Sequence, residues 1–423
     1  MAAEIIDWLN LALRFGHVLA AIMWVGSSIF FMWLDFHLEK PKSDEDSDDG
    51  KVEGRLWMIH GGGVFHTEKR LLQPDEIPKT LHWFKWEAYS TWLTGFFLLA
   101  TIHYLNGGVA LPASGGVLSP AAAIVASLVT LAGGWLTYDL FWRTGWARRN
   151  PLIASMISFA ALIVIAFFLC RDFNGRAAFL HVGAMLGTMM AGNVFFHIIP
   201  NQRKVMAALR AGEEHDVELS KHAKLRSTHN NYMTFPVIFL MISFHYPRTY
   251  AGPYAWLVLA TIVTGLATIR HFLNIRASFP NWKIAAVIAG LATIIVTTIL
   301  TRLPAPTTSK AGSATPTQQG NDVDNSPSDL LAKGAAAFQT RACASCHVAI
   351  APANAPLLSG IYGTEREFVD GSSQIADDDY LRESILNSNA KITKGYLPNL
   401  MPPFEGVLPA DEVDALIAYI KSL

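Results

Sequence analysis

Cys343-Ala344-Ser345-Cys346-His347, near the C-terminus, decides the fold of the chain's last segment and the topology of everything before it. Two thiols three positions apart can each form a thioether to one vinyl group of a haem, and the adjacent histidine then sits against the iron as an axial ligand. A zinc site would need two more nearby ligands, yet the third and last cysteine, Cys170, lies far upstream in an apolar segment. The second axial ligand is expected from a methionine some tens of residues later in a rigid loop. Met401-Pro402-Pro403-Phe404 supplies one, with prolines that fix the backbone around the thioether. The expected cofactor is one covalent haem c, attached at Cys343 and Cys346 and ligated by His347 and Met401.

The flanks complete a small class I-type cytochrome c domain over residues 329–423. Ser328 to Phe338 reads as a short helix leading into the haem motif. Asp411 to Ile420 reads as a closing helix, with Val413, Leu416, Ile417 and Ile420 on one face and Pro409, Asp411 and Glu412 at its start. The segment resembles the cytochrome c domain fused to some cytochrome c oxidase second subunits. The likeness is carried by Gly360-Ile361-Tyr362-Gly363, Asp379-Tyr380-Leu381-Arg382-Glu383-Ser384-Ile385, Gly395-Tyr396-Leu397-Pro398 and the Met401 loop. It implies a domain that passes single electrons and does no chemistry on a substrate.

What feeds those electrons lies upstream. The chain is 51% hydrophobic and only 16% charged, with a formal net charge of -1, which places it in the membrane class and gives no sign of nucleic acid. The first three hundred residues divide into apolar stretches long enough to cross about 30 Å of hydrocarbon as helices. Eight are expected, over 8–36, 83–105, 119–141, 151–170, 177–199, 230–246, 253–274 and 282–303. The fold class is therefore all-α: a polytopic transmembrane helical bundle of eight spans in residues 1–303, a flexible linker over 304–328, then the cytochrome. Pro236 interrupts the sixth stretch, so neighbouring helices must satisfy the carbonyl it frees. No cleavable signal is expected, because the first apolar stretch is too long and lacks a basic leader.

Two independent arguments orient the bundle. Haem is attached to such motifs outside the cytoplasm, so the cytochrome belongs on the periplasmic side, and eight spans put the N-terminus there too. The loops around 37–82, 142–150, 200–229 and 275–281 then face inward. They hold most of the loop lysines and arginines, among them Lys40, Lys69, Arg70, Arg143, Arg203 and Arg276. This is the positive-inside asymmetry of a bacterial inner-membrane protein. The linker, rich in Pro, Thr, Ser, Gly and Gln, acts as a flexible tether. The acidic run from Ser43 to Gly50 reads as a solvated loop. Gly61-Gly62-Gly63 could let backbone approach a ligand, although no strand–Gly-Lys pattern makes it a phosphate cradle.

Histidines are unusually frequent in the membrane half. His17, His103, His181 and His245 fall toward the outer side, and His37, His82, His197, His229 and His271 toward the inner side. Facing histidines on different helices can hold a b-type haem, with His17 and His181 as candidate outer ligands. The stretch from Gly16 to Gly26 is similar to the first helix of membrane-type protoporphyrinogen oxidases, where the histidine binds haem. The same side chains can equally be helix–helix hydrogen-bond partners or line a polar cavity.

Over its whole length the chain resembles the bacterial membrane-bound urate hydroxylases, an eight-span domain fused to a C-terminal cytochrome c. Phe15 to Leu38 carries the likeness, as do His82-Trp83-Phe84-Lys85-Trp86-Glu87 and Gly192-Asn193-Val194-Phe195-Phe196-His197-Ile198-Ile199-Pro200. Ser227-Thr228-His229-Asn230-Asn231-Tyr232 with Thr234-Phe235-Pro236 belongs to it too. The resemblance implies oxidation of urate to 5-hydroxyisourate in purine degradation without release of hydrogen peroxide. It also implies a downstream cytochrome or terminal oxidase as partner.

Urate is a planar monoanion at neutral pH, so its pocket should offer aromatic faces, amide or guanidinium donors and a base, for which histidine is suited. The inner side combines these types. Asn193, His197, His229 and His271 are the candidate catalytic residues, with His82, Trp83, Trp86, Glu87, Asn230, Asn231 and Arg270 around them. Two other classes share the same outline: a quinol-to-cytochrome c electron-transfer protein, and a transporter carrying a tethered redox cytochrome.

Overall fold

A computed structural model describes residues 2–40, 52–70, 76–105, 107–108, 111–113, 117–214, 216–303, 327–341, 343, 346–347, 355–396, 401 and 403–423. The membrane half is built from α1 (Ala2–His37), α2 (Trp86–Leu99), α3 (Pro120–Arg143), the short α4 (Gly145–Arg149), α5 (Pro151–Asp172) and α6 (Gly175–Gly192). After these come α7 (Ile199–Ala211), α8 (Val217–Ile242), α9 (Ala255–Asn274) and α10 (Trp282–Leu300). Side chains cap some of these starts. Ser119 accepts a hydrogen bond from the amide of Ala122 ahead of Pro120, and Asn174 accepts one from Ala177.

Among the described residues, six helical stretches are long and apolar enough to cross a membrane: Trp8–His37, Pro120–Arg143, Pro151–Asp172, Gly175–Ala211, Ala255–Asn274 and Trp282–Leu300. The other two expected stretches also form helices, but of a different character. α2 gives way after 14 residues to a π turn, Ala100–Tyr104. α8 runs for 26 residues, but its first half carries Glu218, Lys221, His222, Lys224 and Arg226, so it is apolar only beyond about Met233. Pro236 lies buried inside α8 without ending it.

α6 is the central helix. Ala177, Phe179, Val182, Met185 and Leu186 are buried along it, whereas no residue of α10 is. Small residues allow the close approach: a Cβ on Gly192 would lie 2.8 Å from the Trp135 ring, and one on Gly183 would lie 3.0 Å from Leu240. α6 passes through a second π turn, Asn193–Ile198, before continuing as α7. Both π turns carry histidines, His103 and His197, and such turns are frequent at functional sites.

Between α1 and α2, β1 (Val52–His60) and β2 (Gly63–Arg70) form an antiparallel hairpin. Gly61 and Gly62 both adopt positive φ, 59° and 80°, as a two-residue turn joining twisted strands requires. The glycine run is therefore a hairpin turn, and the ligand-approach reading is not needed. The acidic run 43–50 and most of the linker lie outside the described residues.

The C-terminal domain packs α11 (Pro327–Thr340), a short hairpin of β3 (Glu365–Glu367) and β4 (Ser373–Ile375), α12 (Asp378–Leu386) and α13 (Ala410–Ser422). Val413, Leu416, Ile417 and Ile420 are buried, as their spacing predicts. α11 crosses α13 at Gly334, where a Cβ would fall 1.9 Å from the carbonyl oxygen of Ala415.

Candidate active site and haem pocket

One acidic residue, Asp139, occurs within α3, and it is buried near that helix's C-terminal end. A buried carboxylate must be paired and hydrogen-bonded. Three elements supply its partners. From the α6 π turn, Nε2 of His197 lies 2.5 Å from Oδ1. From α8, Nη2 of the fully buried Arg226 donates to the same oxygen at 2.9 Å and to the Asp139 carbonyl at 3.3 Å. From α3 itself, the half-exposed Arg143 forms an ion pair with Oδ2 at 2.6 Å.

Amides extend the network across the bundle. Asn193 accepts from Arg226 Nη1 at 3.3 Å. Its Nδ2 donates to the Tyr138 hydroxyl at 2.9 Å and to Oδ1 of Asn230 at 2.8 Å. Asn230 in turn donates to the Met190 carbonyl at 2.9 Å. Because Tyr138 accepts from Asn193, its own proton is free for Nδ1 of His229, 2.7 Å away. The His229 ring packs against Trp142, with centroids 4.2 Å apart. Trp135 stacks on Phe196 and flanks His197.

This arrangement can move a proton. Asp139 holds Nε2 of His197 and so fixes the tautomer in which Nδ1 is the acceptor, the same orienting role a carboxylate plays for histidine in hydrolytic triads. Among the described residues Nδ1 of His197 makes no hydrogen bond. Glu87, at the start of α2, also has a buried oxygen, Oε2, without a hydrogen-bond partner.

The structure thus joins three of the four expected catalytic residues: Asn193, His197 and His229. His271 is not with them. It lies on the exposed face of α9, where Nδ1 meets the Tyr232 hydroxyl at 2.7 Å, while Arg270 beside it points inward. Asp139, Arg226 and Tyr138 were absent from the sequence-based set. The signal existed, since a lone acid inside an apolar span is itself a functional flag.

The outer histidines form a separate layer. His181 is fully buried, with Nδ1 2.7 Å from the Ala177 carbonyl and Nε2 2.5 Å from Ser127 Oγ. Ser127 also bonds the Tyr104 hydroxyl at 2.7 Å. The imidazole beside His181 is His103, with ring centroids 6.1 Å apart. His17 belongs to the α1–α2 seam, where Nδ1 lies 2.9 Å from the Thr91 carbonyl and the ring fills the space left by Gly95. With both nitrogens of His181 engaged, His17 and His181 do not fit as a ligand pair for haem b.

The haem c residues do fit their group. Nδ1 of His347 lies 2.8 Å from the Pro356 carbonyl, which leaves Nε2 for iron, the orientation typical of ligating histidines. Burial holds this imidazole below its ordinary pKa, so it is offered neutral. His347 and Met401 line one apolar cavity with Leu358, Leu381, Ile385 and Tyr396. Ser388 donates to the Met401 carbonyl at 2.6 Å and anchors the ligand loop. Cys343 packs against the same core. When bound, haem c supplies one-electron chemistry.

The cytochrome touches the bundle at the loop between α8 and α9. Arg341 Nη1 donates to the Ala251 carbonyl at 2.8 Å while its other nitrogens clamp Glu412, and Arg248 donates to the Gly406 carbonyl at 3.2 Å.

Residues 3–301 match the family described as urate oxidase N-terminal, and residues 329–420 match the family described as cytochrome c oxidase, cbb3-type, subunit III. The second match differs from the oxidase second-subunit likeness of the sequence reading, and both imply a haem c domain. Comparison with curated proteins found no match. The first match covers well over half of the chain, including every residue of the Asp139 network. The chain belongs to the urate oxidase N-terminal family and carries a C-terminal cytochrome c domain.

Proposed function

We propose that the protein is a membrane-bound urate hydroxylase, in which the bundle oxidises urate to 5-hydroxyisourate and its own haem c takes up the electrons. Urate and water give 5-hydroxyisourate, two protons and two electrons. The electrons leave singly through the cytochrome to a respiratory acceptor, and no hydrogen peroxide is released. The bundle crosses a bacterial inner membrane eight times, counting Trp86–Tyr104 and the apolar half of α8 as spans. Both termini then face the periplasm, and the Asp139 layer lies toward the cytoplasm.

The observation that carries this reading is the His197–Asp139–Arg226 array, buried in the part of the chain that belongs to a urate oxidase family. Oxidation releases two protons, and deprotonating urate makes its oxidation easier. His197 is the proton acceptor, oriented by Asp139. Asn193 and the Tyr138–His229 pair hold the adjoining wall, and Trp135 supplies an aromatic face. The outer histidine layer is about 18 Å from Asp139, taking 1.5 Å for each of the residues that separate Ser127 from Asp139 on α3.

The test is anaerobic addition of urate to the detergent-purified full chain while the haem c reduced band is followed. Reduction with formation of 5-hydroxyisourate is expected. Reduction by a ubiquinol analogue but not by urate, or solute uptake by vesicles with no change at haem c, would replace this reading with an electron conduit or a transporter.

A further inference from the structure

Arg226 and Arg270 present the same side chain in the inner part of the bundle, both buried, and among the described residues only one of them has a counterion. Arg226 has Asp139. Arg270, 2% exposed on α9, donates Nε to Oδ1 of Asn231 at 3.0 Å. Its Nη2 lies 2.8 Å from the sulfur of Met32, a weak acceptor. Its guanidinium faces the Phe235 ring at 4.9 Å. Among the described residues no carboxylate lies within ion-pair distance of it. Asp35, near Met32 on α1, is turned to Lys69 at 3.2 Å. Arg276 adds a second positive charge, stacked over Phe36 at 4.1 Å and donating to the Met32 carbonyl at 3.1 Å.

Buried arginine in a membrane bundle is costly and almost always paired, so an unpaired one marks a place for a missing negative charge. We propose that Arg270, with Asn231 and Asn274, is the seat of a planar organic anion, which on the urate reading above is the substrate itself. The donor set suits that ligand. A guanidinium fork matches adjacent acceptors in one plane. Asn274 donates to Asn231 at 2.8 Å, so the amides are already ordered beside it. Phe235 and Phe36 give flat apolar faces. The Met32 thioether, a flexible side chain, fills the place of the acceptor and can withdraw. Asn231 follows Asn230 on α8, about 100° round the helix, so Asn230 faces the Asp139 network while Asn231 faces Arg270.

The test uses the full chain with haem c attached, free of oxygen. Urate binding is measured by calorimetry and urate-driven haem c reduction by its KM and kcat. In Arg270→Gln, urate should bind about ten- to a hundredfold more weakly, the range for one charge-assisted hydrogen-bonded contact, with KM raised far more than kcat falls. Arg270→Lys should recover part of the affinity. Asn231→Asp keeps the size of the side chain and places a carboxylate against Arg270, so it should also weaken urate binding; it is read alone if Arg270→Gln does not fold. Wild-type affinity in Arg270→Gln or in Asn231→Asp overturns the proposal. Failure of the wild-type chain to be reduced by urate overturns the urate reading instead, so the two failures are distinct.

Discussion

Arg226 and Asp139 form a buried ion pair, Nη2 to Oδ1 2.9 Å, between α8 and α3. Desolvation offsets much of the Coulomb gain of such a pair, so its presence is weak support for stability, but removing Asp139 strips the buried Arg226 of its counterion, at about 3–5 kcal/mol, whereas removing Arg226 still leaves Asp139 its His197 and Arg143 partners. Asp139→Leu should therefore lower the thermal midpoint of the detergent-solubilised bundle more than Arg226→Met does. The double variant Asp139→Leu/Arg226→Met should be more stable than either single one. Additive losses would show that the two charges do not depend on each other.

His197→Gln keeps a side chain of similar reach but removes the base. A positioned general base contributes about a hundred- to ten-thousandfold in rate. Urate-driven reduction of haem c should fall by that order, while chemical reduction of haem c by dithionite stays unchanged. Asp139→Asn should fall similarly in kcat, because an amide no longer selects the tautomer that frees Nδ1. Full urate turnover in His197→Gln would place the base elsewhere, with Glu87 the next candidate for its buried, unpartnered oxygen.

How legible this was depends on the face a residue occupies. The haem c residues could be read because covalent attachment demands a fixed local spacing, and the closing helix because its apolar positions repeat at helical intervals. On α9 the same arithmetic favours Arg270 over His271. Leu259, Val263 and Leu266 form the inward stripe, and its next turn is Arg270, about 100° from its neighbour. His271 has a catalytic residue type but the outward phase. The π turns at His103 and His197 have no sequence signal in a single chain, and neither does the pairing of His181 with Ser127, which depends on how α3 packs on α6. The Gly61–Gly63 hairpin follows from turn chemistry, but its strands carry no apolar alternation to announce them.

The Gly334 crossing bears on the cytochrome alone. With the Ala415 carbonyl 1.9 Å from where a Cβ would sit, even alanine forces α11 and α13 apart. Overpacking of this kind costs about 1–3 kcal/mol, and valine should cost more than alanine. The guanidinium midpoint of the haem c absorbance in the full chain should fall in the order glycine, alanine, valine. An unchanged midpoint in Gly334→Ala would show that the helices do not meet there.

The last prediction concerns the outer layer, where residue type suggests haem b and geometry opposes it. A bis-histidine haem needs one free ring nitrogen on each ligand, turned toward a common iron. His181 spends both, on the Ala177 carbonyl and on Ser127, and His17 sits in the seam with α2 against Gly95. The dithionite-reduced minus oxidised spectrum of the full chain should therefore show c-type bands alone. Iron and covalent haem should be equimolar with protein. Ser127→Ala should lower stability by leaving a buried imidazole nitrogen unsatisfied, at about 1–3 kcal/mol, without changing that spectrum. A b-type band lost in His181→Ala would mean that the Ser127 bond gives way to iron in the mature protein.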